Sequence, residues 1–216
     1  LDVVVGADGD AGVFAVDGSD GSVLWSAGRQ NDVYTAAAFV DVDADGVDDV
    51  VMGGRNNDVI AHDGTSGKEL WSLRGTTPDL PELWFATART VPDVDDDGIG
   101  DVLVPQSGSQ NDELRQGVLR LVSGATGEQL SATPMPDDRE IYSPPEVDPA
   151  VALTEQTLFV GTGGETIAGG VTALRYQPDG TATTEWTVDG PGVVAAPART
   201  KNSAGEERII SAAWNG

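Results

Sequence analysis

Five segments of this chain repeat one another, and that repetition constrains the fold more than any other feature. Asp2-Val3-Val4-Val5-Gly6, Asp49-Val50-Val51-Met52-Gly53 and Asp101-Val102-Leu103-Val104-Pro105 align residue for residue, followed more weakly by Leu158-Phe159-Val160-Gly161 and Ile209-Ile210-Ser211-Ala212. Self-similarity recurring about every 50 residues is the mark of stacked or radial units, each burying its apolar faces against its neighbours. After each of the first four copies come a second apolar segment, a glycine-bearing turn and a third segment. Val13-Phe14-Ala15-Val16-Asp17 leads through Asp20-Gly21 to Leu24-Trp25, and Val59-Ile60-Ala61-His62-Asp63 leads through Ser66-Gly67 to Leu70-Trp71. Leu119-Arg120-Leu121-Val122 runs through Thr126-Gly127 to Gln129-Leu130-Ser131, with Ser in place of Trp, and Val171-Thr172-Ala173-Leu174 runs through Asp179-Gly180 to Trp186.

Short β-branched and aliphatic runs bounded by Gly and Asp read as strands. A further apolar stretch precedes each Asp-rich loop: Tyr34 to Val40, Trp84 to Val91 and, more weakly, Val193 to Ala198. Each unit then has four strands. The expectation is an all-β chain with antiparallel blades, a partial β-propeller of about four to five blades. The repeats run over about residues 1–30, 34–75, 84–133, 146–189 and 192–216. β-Helix repeats are shorter, and no helix is placed to build a leucine-rich horseshoe. The tryptophans on the last strands are expected between blades.

Composition excludes several functions. The chain carries 36 Asp and Glu against 12 Lys and Arg, for a net charge of −24. Such an excess repels phosphate backbones and anionic headgroups, so no nucleic-acid partner is expected. With no cysteine there is no disulfide, thiolate zinc site, iron–sulfur cluster or cysteine nucleophile. No apolar run approaches 18 residues, so no membrane insertion is expected, and no signal peptide is legible from Leu1 onward. An acidic, lysine-poor surface suits concentrated salt, where a Debye length of roughly 3 Å screens self-repulsion; a halophilic microbial source is the corresponding expectation.

The chemistry is concentrated in two loops. Asp41-x-Asp43-x-Asp45-Gly46-x-x-Asp49 and Asp93-x-Asp95-x-Asp97-Gly98-x-x-Asp101 share one nine-residue pattern at matching places in consecutive repeats. Alternate aspartates around a tight glycine turn direct carboxylates inward, and a hard cation takes six to eight oxygens at about 2.3–2.6 Å. Calcium is the expected cofactor, at two sites. The ligands expected are Asp41, Asp43, Asp45, the carbonyl of Val47 and Asp49, then Asp93, Asp95, Asp97, the carbonyl of Ile99 and Asp101. An EF-hand would need a bidentate Glu at position twelve, where Met52 and Val104 stand. Magnesium suits a loop of four carboxylates less well, because it prefers octahedral sites that keep several waters. In the fifth repeat Gly205 keeps its place, but Thr200, Asn202, Ala204 and Arg208 fill the ligand positions; residues 149–157 keep neither ligands nor glycine.

Ala15-x-Asp17-x-x-Asp20-Gly21-x-x-x-Trp25 and Ala61-x-Asp63-x-x-Ser66-Gly67-x-x-x-Trp71 resemble the tryptophan docking motif of quinoprotein-like (PQQ-like) propellers, which include bacterial outer-membrane assembly lipoproteins. The aspartate loops resemble those of the FG-GAP and VCBS repeats found in integrin α-subunit propellers and many microbial surface proteins. Together these resemblances imply the propeller for nearly the whole chain, and each family hosts many functions on the scaffold.

Catalytic groups are sparse. His62 is the one imidazole and replaces Val16 of the first repeat on a strand, which reads as a packed residue, and no serine sits in a nucleophile elbow. Glu146, Asp148 and Glu165 lie in irregular stretches where blade loops could face a substrate. Two segments break the repeat: residues 105–117, with Gln106, Gln110, Asn111, Asp112 and Arg115, and the Pro-rich 134–149, with Arg139, Tyr142, Pro144 and Pro145. Both read as solvated loops with a capacity to anchor a partner. Trp84-Phe85 reads as interblade core, with a sugar platform as the alternative. Both ends fall inside blades, so the chain reads as part of a larger propeller or an arc completed by missing blades or other chains.

The expected function is a calcium-stabilised, extracellular or cell-surface binding or structural module without catalysis, engaging a protein or glycan partner. A quinoprotein-like enzyme or assembly factor and a polysaccharide lyase-type propeller are the alternatives.

Overall fold

The computed structural model describes residues 2–7, 12–28, 33, 35–54, 58–74, 87–107, 116–164, 168–193 and 195–213. Tyr34, Trp84, Phe85, Gln110, Asn111, Asp112, Arg115 and Glu165, singled out above, lie outside the described residues.

Among the described residues, five antiparallel sheets follow one another, each a meander in sequence order. The first holds β1 (Val3–Gly6), β2 (Val13–Val16) and β3 (Val23–Ala27). The second holds β4 (Ala38–Val40), β5 (Asp49–Gly53), β6 (Asp58–His62) and β7 (Glu69–Arg74). The third holds β8 (Arg89–Val91), β9 (Asp101–Gln106), β10 (Val118–Val122) and β11 (Gln129–Pro134). The fourth holds β12 (Leu158–Thr162), β13 (Gly169–Tyr176) and β14 (Ala182–Gly190), and the fifth β15 (Ala198–Lys201) and β16 (Glu207–Ile210). These are the blades of an all-β propeller.

The repeat extends to backbone irregularities. In each of the first four blades the ladder to the outermost strand slips by one residue at the same place, after Ala15, Ala61, Leu121 and Ala173. Just before the slip these residues face Trp25, Trp71, Ser131 and Trp186 respectively. A bulge increases local twist and re-aims the side chains beside it, so four copies present one side-chain position in the same way.

Cores lie between consecutive blades. Val13, Ala15 and Trp25 pack with Val50 and Met52; Val51, Val59 and Trp71 pack with Val102, Val104 and Val122; Leu103, Leu119 and Leu121 pack with Leu158, Val160 and Leu174. Middle strands covered on both faces carry unbroken apolar runs, and β5 and β9 are buried along their whole length. Each fully buried valine contributes about 1.5–3 kcal/mol relative to exposure.

Three expectations are corrected. The fourth blade has three strands, and the place of its innermost strand is taken by one bridge, Glu146 to Phe159. Pro144, Pro145 and Pro149 deprive that stretch of the N–H donors a ladder needs. In the fifth blade the strand expected over Val193 to Ala198 begins only at Ala198, because Pro197 interrupts it, and Val193 bridges Ala213 instead. Lastly, residues 134–149 are not a solvated loop. Met135, Ile141 and Ser143 are fully buried, and the first two join the core between the third and fourth blades. Arg139 is held by Asp189 at 2.6 Å and by the Gly169 carbonyl at 3.0 Å, while Tyr142 is half-buried.

Candidate metal centres

Both aspartate loops join the first and second strands of their blades and fold alike. In residues 41–48 the backbone turns left-handed at Ala44 (φ 60°) and Gly46 (φ 89°), and in 93–100 at Asp96 (φ 63°) and Gly98 (φ 93°). That region favours glycine, because an L side chain there crowds its own backbone. The aspartates cap the N–H groups this path leaves open. Asp41 accepts from Asp45 and Gly46 at 3.0 Å each, and Asp93 accepts from Gly98 at 2.8 Å.

These paths draw three carboxylates together in each loop. Oxygens of Asp41, Asp43 and Asp49 lie within 4.8 Å of one another, as do oxygens of Asp93, Asp95 and Asp101. Asp45 and Asp97 stand outside these groupings; each accepts the N–H two residues on, that of Val47 and Ile99 respectively, at 2.8 Å. The donor set is all oxygen, without imidazole or sulfur, which suits a hard divalent cation.

Asp49 and Asp101 differ from the other loop carboxylates, being 1 % and 0 % exposed. Both oxygens of each accept a backbone N–H. Asp49 takes Val42 and Gly64, both at 2.8 Å, and Asp101 takes Val94 at 2.7 Å and Gly124 at 3.0 Å. Burial nonetheless raises both acids, Asp101 to about 6, and the nearby loop aspartates push the same way against these hydrogen bonds. A buried carboxylate among like charges is a site that a cation would relieve.

Gly64 and Gly124 were not apparent as functional positions in the sequence. Their N–H groups bind the buried aspartates, and their carbonyls accept the indole N–H of Trp25 at 2.8 Å and of Trp71 at 2.7 Å from the preceding blade. A Cβ on Gly64 would stand 2.2 Å from the Asp48 carbonyl oxygen, and one on Gly124 would stand 1.9 Å from that of Gly100. The signal was present as Asp17-Gly18, Asp63-Gly64 and Ser123-Gly124, which recur at one place in the repeat.

His62 is buried with its Nδ1 3.2 Å from the Gly67 carbonyl and its ring 6.3 Å from that of Trp25. Burial holds its pKa below the usual value, leaving a neutral ring in the interblade core. Gln106, expected on a loop, is the buried end of β9 and accepts from the Arg120 Nε–H. Glu146 sits 3.7 Å from Arg199, and Asp148 accepts the Ala150 N–H at 2.9 Å.

A family model described as the FAM234A/B beta-propeller matches residues 11–143, more than half of the chain and including both loops. The chain belongs to the FAM234A/B beta-propeller family. No curated protein sequence matches it significantly. Solved structures share the fold. The C-terminal domain of Pseudomonas aeruginosa PilY1 superposes with a TM-score of 0.68 at 16% identity, over 97% of this chain and 51% of that one. Quinohemoprotein alcohol dehydrogenase from Comamonas testosteroni gives 0.66 at 17%, over 96% and 37%, and BamB from Moraxella catarrhalis gives 0.57 at 12%, over 96% and 56%. The chain therefore spans between about a third and just over half of each of these structures. They include enzymes and proteins not named as such, so the shared fold leaves the activity open. No helix among the described residues is long and apolar enough to cross a membrane.

Proposed function

We propose that this propeller is a calcium-stabilised binding or structural module, working outside the cell or at its surface and engaging a protein or glycan partner. The observation that carries the reading is the duplicated loop, with three carboxylates gathered twice by the same backbone path. In FG-GAP fashion, Asp41, Asp43 and Asp49 would hold one ion and Asp93, Asp95 and Asp101 the other. Asp45, Asp97 and the carbonyls of Val47 and Ile99 would complete the cages on modest movement. Extracellular calcium keeps sites of moderate affinity filled, and the expected surface location rests on that need together with the acidic composition. PilY1 and BamB, which share the fold, are not named as enzymes, in keeping with a module that acts through partners. We assign no catalysis to this chain, because its imidazole lies neutral in a core and its clustered acids are better used as ligands.

Isothermal titration with calcium chloride tests the reading. Two ions should bind the unsubstituted chain, and Asp43→Lys and Asp95→Lys should each remove one. Chelation should lower the melting temperature, since an ion at 100 times its Kd adds about 2.7 kcal/mol per site. Absence of binding would overturn the metal assignment.

A further inference from the structure

We propose that Asp49 and Asp101 couple ion occupancy of each loop to the docking of the preceding blade's tryptophan; this rests on the calcium reading above. The coupling runs through one peptide unit. Asp49 accepts the Gly64 N–H, and the Gly64 carbonyl accepts the Trp25 indole N–H; Asp101, Gly124 and Trp71 repeat the chain of bonds one blade on. The same carboxylates face the loop, with oxygens within 4.8 Å of those of Asp41 and Asp43, or of Asp93 and Asp95. A cation at that point would fix the buried carboxylate in place. A fixed acceptor holds the glycine N–H in line, and hydrogen bonds in series polarise one another, so the carbonyl becomes a better acceptor for the indole.

The third-to-fourth contact supplies an internal control. At the third-to-fourth contact Ser131 replaces the tryptophan, Thr157 holds the place of the buried aspartate, and Pro178 in the receiving turn has no N–H to donate. Tryptophan, aspartate and glycine relay are lost together there, with the loop. Both docked tryptophans, Trp25 and Trp71, meet blades that carry an aspartate loop.

Coupling is reciprocal, so both directions can be read on the full chain. Amide exchange by NMR should slow about tenfold or more at the Gly64 and Gly124 N–H and the Trp25 and Trp71 Nε1–H when calcium is added. The Gly180 N–H should not change. In the other direction, Trp71→Phe should weaken calcium binding at residues 93–101 about fivefold and spare 41–49, and Trp25→Phe should do the reverse. An Asp43→Lys or Asp95→Lys background isolates each site. Calcium binding with unchanged exchange at both glycines would overturn the coupling while leaving the metal reading intact. No binding at all would overturn both, and the titration identifies that case. Should a Trp→Phe variant fail to fold, exchange in the unsubstituted chain still decides.

Discussion

The first two blade contacts and the third solve one packing problem by different means. Between the first and second blades, and between the second and third, an indole crosses the gap and docks on the next blade's turn. Its ring lies against Gly67 or Gly127, where a Cβ would come within 2.5 or 2.6 Å of it. Between the third and fourth blades the turn is a residue shorter, from Gln177 to Gly180, and nothing lies within 4 Å of where a Gly180 Cβ would be. There the inserted segment carrying Met135 and Ile141, with Tyr176, fills the space instead. A polar relay needs every member in place, because a buried donor or acceptor without its partner costs about 1–3 kcal/mol. An apolar core tolerates piecemeal change. That asymmetry accounts for a motif kept complete at two contacts and dismantled at the third.

The sharpest way to break the comparison is truncation of a docked tryptophan. Trp71→Ala should cost about 3–5 kcal/mol in denaturant unfolding, combining lost burial with an orphaned Gly124 carbonyl, whereas Ser131→Ala should stay near zero. Equal losses would mean that the two contacts are built alike. Next in size, Gly124→Ala forces a Cβ against the Gly100 carbonyl and should cost about 1–3 kcal/mol. Gly180→Ala meets only the strain of φ 77° and should cost about 1 kcal/mol or less. Thermal melts of the two variants compare them directly.

Proton competition gives a smaller effect with a defined sign. In the metal-free chain Asp101 takes up a proton as pH falls through about 6, well before its unfolded counterpart near 3.8. Protonation there stabilises the native state as pH falls between those values, but an ion must displace the proton. Calcium should therefore raise the melting temperature less at pH 5 than at pH 7. His62 works in the opposite sense: with its folded pKa depressed, the unfolded chain protonates first and stability declines as pH drops below 6.5. His62→Gln should flatten that decline, seen by melts across the same range.

Much of this architecture was legible beforehand, and the misses have common causes. The runs at Val50–Gly53 and Val102–Val104 announce strands buried on both faces, and the turns at Gly67 and Gly127 need left-handed backbone that glycine supplies. The weak copies were harder to place. Over Val193 to Ala198 the apolar pattern outweighed Pro197 in the reading, yet a missing N–H ends a strand whatever its neighbours are. Residues 134–149 looked like a solvated loop because proline and charge dominate them. The three apolar positions there that matter, Met135, Ile141 and Val147, have no period, and they gain meaning only from the space left at Ser131.

The sequence by itself determined the repeat, the all-β blades and the placement of aspartates around two glycine turns, because each depends on a local period or a left-handed backbone position. Only the tertiary structure decided which carboxylates meet and which face solvent. Asp43 and Asp49 are alike as residues, yet one lies exposed on the turn and the other is sealed beneath the next strands with both oxygens bound. The link from a loop in one blade through Gly64 or Gly124 to a tryptophan in another joins residues 39 and 53 apart in sequence. No local pattern encodes that distance; it exists because sheet stacking brings consecutive repeats face to face.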